Sequence, residues 1–176
     1  MELLIGAGNS RTKRLIAEGR AEWSGLLTLD IDPGAGADVC HDLCELPYPF
    51  ADNQFDEIHA YEVLEHTGQQ GDWRFFFAQF SEFWRILKPG GYLMGTSPAP
   101  GCPWAWGDPG HTRIMSREAF TFLNQEQYTS QVGRTPMTDY RHVYKADFEP
   151  MLLDIEATGN VFSYVLKAIK PSRISV

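Results

Sequence analysis

Three groups of residues in this chain could do chemistry. The first is Gly6-Ala7-Gly8, set directly after the apolar run Leu3-Leu4-Ile5. Glycine lets a backbone approach a ligand closely, and a helix start behind it favours an anionic group. The same residues would also serve as a plain tight turn. A nicotinamide or flavin site calls for G-x-G-x-x-G, and the third glycine position here is Arg11, which argues against a close pyrophosphate. The second group is acidic. Asp30 ends the apolar run Leu26–Leu29, where a carboxylate can accept from both hydroxyls of a ribose. Asp32 is its neighbouring rival, and either residue could instead cap a turn. The third group is His66, next to Glu65, and His111, inside a long loop. Each imidazole is a candidate general base, and each could equally hold a helix end or order a loop. Cys40, His41 and Cys44 lie close together, but no second ligand pair follows at zinc-finger spacing, so no metal site is expected.

These residues need elements to position them. Leu3–Ile5, Leu26–Leu29, Asp38–His41, Phe55–Ala60 and Tyr92–Thr96 read as strands. Ser10 is a candidate N-cap for a helix over Arg11–Glu18, stopped by Gly19. Asp72 should cap a helix whose stripe is Trp73, Phe76, Phe77, Phe80, Phe83, Trp84 and Leu87. Lys88-Pro89-Gly90-Gly91 should end it in a turn. Ser97 to Arg113 carries four prolines and three glycines, and long loops of this kind are usually functional. It is the expected substrate lid, with Trp104 and Trp106 as an apolar cover or as anchors. Ser116 should cap a helix from Arg117 to Glu126, and Phe148–Glu156 with Val161–Ile169 should form a hairpin around Thr158-Gly159-Asn160. Alternating strands and helices predict an α/β fold: a Rossmann-like, mainly parallel sheet flanked by helices and closed by a terminal antiparallel hairpin.

Composition narrows the function. The 176 residues fit one domain, 1–176. A net charge of −8, from 15 Lys+Arg against 23 Asp+Glu, weighs against bulk nucleic acid or an anionic membrane as partner. No apolar run approaches the roughly 20 residues of a membrane-spanning helix. Met1-Glu2 leads into apolar residues without a basic stretch, and three cysteines suggest reduced thiols, so a cytoplasmic setting is expected.

Taken in order, Gly6-Ala7-Gly8, Leu29-Asp30-Ile31-Asp32, Asp42-Leu43, Leu46-Pro47-Tyr48-Pro49-Phe50, Asp52-Asn53-Gln54-Phe55-Asp56, Val63-Leu64-Glu65-His66 and Leu87-Lys88-Pro89-Gly90-Gly91 form a set. Over roughly residues 1–125 this set resembles the class I S-adenosylmethionine-dependent methyltransferases, in particular their small-molecule type. The resemblance implies S-adenosyl-L-methionine as cofactor. It places Gly6, Ala7 and Gly8 under the methionine part, Asp30 on the ribose and Ile31 against the adenine. Asp42 would receive the adenine amino group, with Leu43 beside it. Ala60 and Tyr61 would flank the sulfonium, and His66 and His111 are the candidate catalytic residues.

The implied activity is methyl transfer to an acceptor, expected to be a small molecule, with catalysis mainly by positioning. Ser97-Pro98-Ala99-Pro100 lacks the Asn/Asp-Pro-Pro-aromatic arrangement of amino-methylating DNA enzymes, and Cys102-Pro103 reverses the Pro-Cys of the cytosine-C5 enzymes. Three departures from the family stand out. Leu4 occupies the usual acidic position. Only five residues separate Asp32 from Asp38, which requires a missing second helix and a short or missing third strand. The first strand begins the chain, with no cap helices before it. These departures motivate the alternative, a non-catalytic binding or scaffold protein of the same fold.

Overall fold

The computed structural model describes residues 1–174. Seven strands form one sheet: β1 (Glu2–Ile5), β2 (Leu26–Asp30), β3 (Val39–Cys40), β4 (Phe55–Tyr61), β5 (Leu87–Pro98), β6 (Phe148–Ile155) and β7 (Val161–Ala168). Their spatial order is β3-β2-β1-β4-β5-β7-β6. The first five are parallel, and β7 runs antiparallel to both β5 and β6. From β1 the chain steps outward through β2 to β3, then returns to lay β4 on the other side of β1. That reversal is the place where open α/β sheets bind ligands, outside the carboxyl ends of the strands.

β3 is two residues long, and a single 3-10 turn, Pro33–Ala35, replaces the second helix. Helix α1 (Trp73–Ile86) joins β4 to β5, with the Asp72 carboxylate accepting from the Phe75 N–H at its start. Its stripe buries Phe77, Phe80 and Phe83 against one face of the sheet. Three short helices follow, α2 (Pro103–Gly107), α3 (Arg117–Thr121) and α4 (Gln125–Gln131). The expected Arg117–Glu126 helix is thus broken into α3 and α4, because Asn124 turns its side chain to cap Glu126 and Gln127. Lys88–Gly91 is part of β5 rather than a separate turn. There the pairing jumps from Phe55↔Leu87 to Glu57↔Tyr92, so the four residues bulge from the ladder.

One expected element is absent. Residues 11–16 form no helix but cross the opposite face of the sheet as a strap. The reason lies in β4, which presents Glu57, His59 and Tyr61 to that face, all buried. Lys13 Nζ sits 3.1 Å from Glu2 Oε2 and 2.8 Å from Glu57 Oε2. The Tyr61 hydroxyl accepts from the N–H of Arg14 and of Leu15, each at 3.0 Å. It lies 2.7 Å from His59 Nδ1, and His59 Nε2 lies 3.0 Å from Glu57 Oε2. Trp23 stacks edge-on against His59. A helix would keep those two amides for itself and leave these buried groups without partners, a cost that outweighs the helix propensity of Arg11–Glu18. Among the described residues, no helix is long and apolar enough to cross a membrane.

Candidate functional site

The carboxyl ends of β1 and β4 meet at Gly6. A methyl group there would lie 2.3 Å from Val63 Cγ2, and the backbone has φ +59°. Glycine is therefore required twice, by packing and by conformation. Gly8 follows with φ +47°, and its N–H donates to Asp30 Oδ2 at 2.8 Å. The other Asp30 oxygen accepts from the Asp32 N–H at 2.9 Å. This largely buried carboxylate ties the glycine turn to the end of β2 and keeps lone pairs for a ligand. Asp32 caps the 3-10 turn, accepting from the Gly34 N–H at 2.7 Å.

A cavity of about 250 Å³ opens beside this turn. Gly6, Asp30, Ile31, Asp42 and Leu43 line it, together with Val63, His66 and Thr67 from the chain after β4. Ile31 is exposed at its lip and Leu43 is buried in its wall. Asp42 braces its own loop by accepting from the Cys44 N–H at 2.8 Å. Ala7, Gly8, Ala60 and Tyr61 are not on the lining. Ala60 is buried in the sheet, and the Tyr61 hydroxyl is engaged by the strap on the opposite face. A recess of only about 30 Å³ lies between Leu4, Ala7, Ser10, Arg14 and Tyr61.

The histidines converge. His66 and His111 are 45 positions apart in sequence, yet their rings stand 4.7 Å from centre to centre at 70°. His66 Nδ1 lies 3.0 Å from the Gly110 carbonyl and His111 Nδ1 lies 2.8 Å from the Trp104 carbonyl. Trp104 and Trp106 of α2 are both exposed, and the Trp106 indole donates to the Pro100 carbonyl. Glu65, buried between these elements, is pushed up to about 8 by burial, and the like charge of Glu62 adds to the shift.

Sequence reasoning missed the polar layer beneath the cavity. Arg113 is buried, and burial lowers it to about 10. It donates to the Leu64 carbonyl at 2.9 Å, to Thr67 Oγ1 at 2.8 Å and to Gln79 Oε1. Gln79 in turn donates to the Leu43 carbonyl and to the Tyr48 hydroxyl. One network therefore fixes the cavity wall, the turn after β4 and the returning end of the loop. Its signal was present, since Gln79 interrupts an aromatic helix stripe. Another cleft, of about 200 Å³, lies between α1 and α3; Arg113 lines it, whereas Gly6, Asp30 and Asp42 do not.

The family model described as a methyltransferase domain matches residues 3–95, more than half of the chain. The chain belongs to this methyltransferase-domain family. It is a class I S-adenosylmethionine-dependent methyltransferase domain, and solved structures share its fold. A methyltransferase from Aquifex aeolicus aligns with TM-score 0.57 at 12% identity, over 96% of this chain and 81% of that one. One from Archaeoglobus fulgidus aligns with TM-score 0.54 at 14% identity, over 94% and 85%. A chain of the Haloferax volcanii complex with the Trm112 methyltransferase activator aligns with TM-score 0.55 at 15% identity, over 96% and 82%. No curated protein matches the sequence. Within this methyltransferase domain the strap stands where the sequence predicts a helix over Arg11–Glu18, and the two histidines lie where the chain leaves β4 and where the long loop returns.

Proposed function

We propose that the chain binds S-adenosyl-L-methionine and transfers its methyl group to a small-molecule acceptor held beneath the 97–113 loop. One observation carries the reading. The cavity at the strand-order reversal is lined by Gly6, Asp30, Ile31, Asp42 and Leu43. These residues fit a nucleoside. Asp30 retains lone pairs for two ribose hydroxyls, Asp42 can accept from an exocyclic amine, and Ile31 and Leu43 offer apolar surface to a base.

The bound cofactor supplies an activated methyl on a sulfonium. The chain's own residues orient it and exclude water. Asp30 holds the glycine turn against the cavity, while Val63 packs on Gly6 and sets the wall height. His66 lines the cavity, so a methyl acceptor beside it can be placed behind the reacting carbon. The net charge of −8 supports an uncharged or cationic small acceptor over a polyanion.

A second reading, a non-catalytic scaffold of the same fold, is favoured by the narrow recess at Leu4, which holds no carboxylate for the amino group of the cofactor. Calorimetric titration with S-adenosylmethionine and S-adenosylhomocysteine separates the two. Micromolar binding by the native chain, weakened at least about tenfold in Asp30→Ala, is the expected result; losing one good charge-assisted hydrogen bond already amounts to roughly that factor. No binding at millimolar ligand would establish the scaffold instead.

A further inference from the structure

We propose that Glu65, His66 and His111 form a binding site for a divalent transition-metal cation at the methyl-acceptor side of the cavity. One ligand atom from each of the three lies within 4.8 Å of the other two, near enough for small side-chain shifts to bring all three to one cation. The imidazole orientations are already decided. Nδ1 of His66 faces the Gly110 carbonyl and Nδ1 of His111 faces the Trp104 carbonyl. A carbonyl oxygen can only accept, so both Nδ1 atoms carry their protons and each Nε2 keeps a lone pair, with the Asp108 carboxylate 3.9 Å from that of His111. Backbone carbonyls that orient ligating histidines in this way are the usual outer support of a metal site.

The carboxylate is the second, independent observation. Glu65 is 2% exposed; neither of its oxygens accepts from an N–H or hydroxyl donor, and the Glu62 carboxyl lies within hydrogen-bonding reach of it. Buried carboxylates are otherwise paired, hydrogen-bonded or bound to metals. The nearby Arg113 acts on it through charge but makes no hydrogen bond to it, because the hydrogen bonds of the guanidinium go to Leu64, Thr67 and Gln79.

The same molecule holds a contrasting cluster. Glu2, Glu57 and His59 also place three ligand atoms within 4.8 Å of one another. There the Lys13 ammonium lies between the carboxylates at 3.1 and 2.8 Å and already supplies the positive charge. The Glu65 cluster has the donors without the ammonium. Two imidazoles and a carboxylate suit Mn²⁺, Fe²⁺, Co²⁺ or Zn²⁺, and three protein ligands leave positions open, as in catalytic rather than structural sites.

The open positions point to an acceptor class, a molecule presenting a hydroxyl oxygen; this step alone rests on the methyl-transfer reading. The cation lowers the pKa of a coordinated hydroxyl, whose proton leaves to solvent. The oxygen lone pair then forms the O–C bond while the S–C bond of the sulfonium breaks, and sulfur keeps that electron pair as a neutral thioether.

The test uses the full chain, stripped with a chelator and titrated with Mn²⁺ under electron paramagnetic resonance and with Zn²⁺ by calorimetry. One equivalent should bind, with histidine nitrogen couplings in the pulsed Mn²⁺ spectrum. Affinity should fall more than about tenfold in His111→Asn and in the near-isosteric Glu65→Gln, and should hold in Cys40→Ser/Cys44→Ser. Thermal melts of the metal-free variants establish that they fold. No stoichiometric binding at millimolar cation, or equal affinity in Glu65→Gln and His111→Asn, would overturn the proposal. Titrating the metal-free chain with S-adenosylhomocysteine keeps the two readings apart: if the nucleoside binds and the cation does not, only the metal site is refuted, and if the cation binds and the nucleoside does not, only the methyl-transfer reading is refuted.

Discussion

Replacing Lys13 with methionine should destabilise this protein far more than a typical lysine substitution. The ammonium lies 3.1 Å from Glu2 and 2.8 Å from Glu57, and all three side chains are at most 3% exposed. Methionine keeps most of the volume and removes the charge, so two buried carboxylates face each other. Arg20, itself 42% exposed, remains on Glu57 at 3.0 Å and offsets part of the loss. Removing one member of a buried ion pair costs about 3–5 kcal/mol. At roughly 2–4 °C per kcal/mol for a chain of this length, the melting temperature should fall by about 6–20 °C.

The strap should loosen first. Hydrogen exchange at the amides of Arg14 and Leu15, which donate to Tyr61, should accelerate before exchange in β4 does. Neutralising the partners as well, in Lys13→Met/Glu2→Gln/Glu57→Gln, should recover much of the stability, since the penalty comes from uncompensated charge rather than lost volume. Calorimetric melts at pH 7 with exchange mass spectrometry provide the assay. A fall of under 2 °C in Lys13→Met, or unchanged protection at Arg14 and Leu15, would refute the account of why this segment is not a helix.

Two further outcomes follow from the same packing. His59 is held down to about 4 by burial, so the unfolded chain binds a proton here that the folded chain refuses between pH 6.5 and about 4. Its stabilising effect is complete above pH 6.5 and is lost as pH falls through about 4, by about 3 kcal/mol; urea titrations should show that slope in the native chain and a shallower one in His59→Gln. Gly6→Ala should cost about 2–5 kcal/mol, from the positive φ and the clash with Val63, and a urea midpoint unchanged from the native chain would mean that the turn has room to yield.

Much of this molecule was legible in local sequence. The apolar runs gave the strands, the aromatic stripe after Asp72 gave α1, and the short Asp32–Asp38 interval required a missing helix, for which the structure has only a 3-10 turn. Gly6 and Asp30 could be singled out because turn conformation and strand-end placement are written in neighbouring residues. The strap could not be read this way. Arg11–Glu18 has good helix formers, and what unwinds it are Glu57, His59 and Tyr61, some 40 positions downstream. The broken helix after Ser116 likewise depended on where the Asn124 side chain found its donors.

The candidate site divides along the same line. Residue types and spacing singled out Gly6, Asp30 and Ile31 where β1 and β2 end, and the structure places all three on one cavity, because each sits next to its own strand. Only the tertiary structure decided that His111 meets His66, that Glu65 is buried without an N–H or hydroxyl donor, and that Arg113 and Gln79 lie beneath the cavity. Those facts depend on how the 97–113 loop returns across the end of β4. That return is fixed by buried donors finding acceptors across long stretches of chain, an energy that no local pattern records.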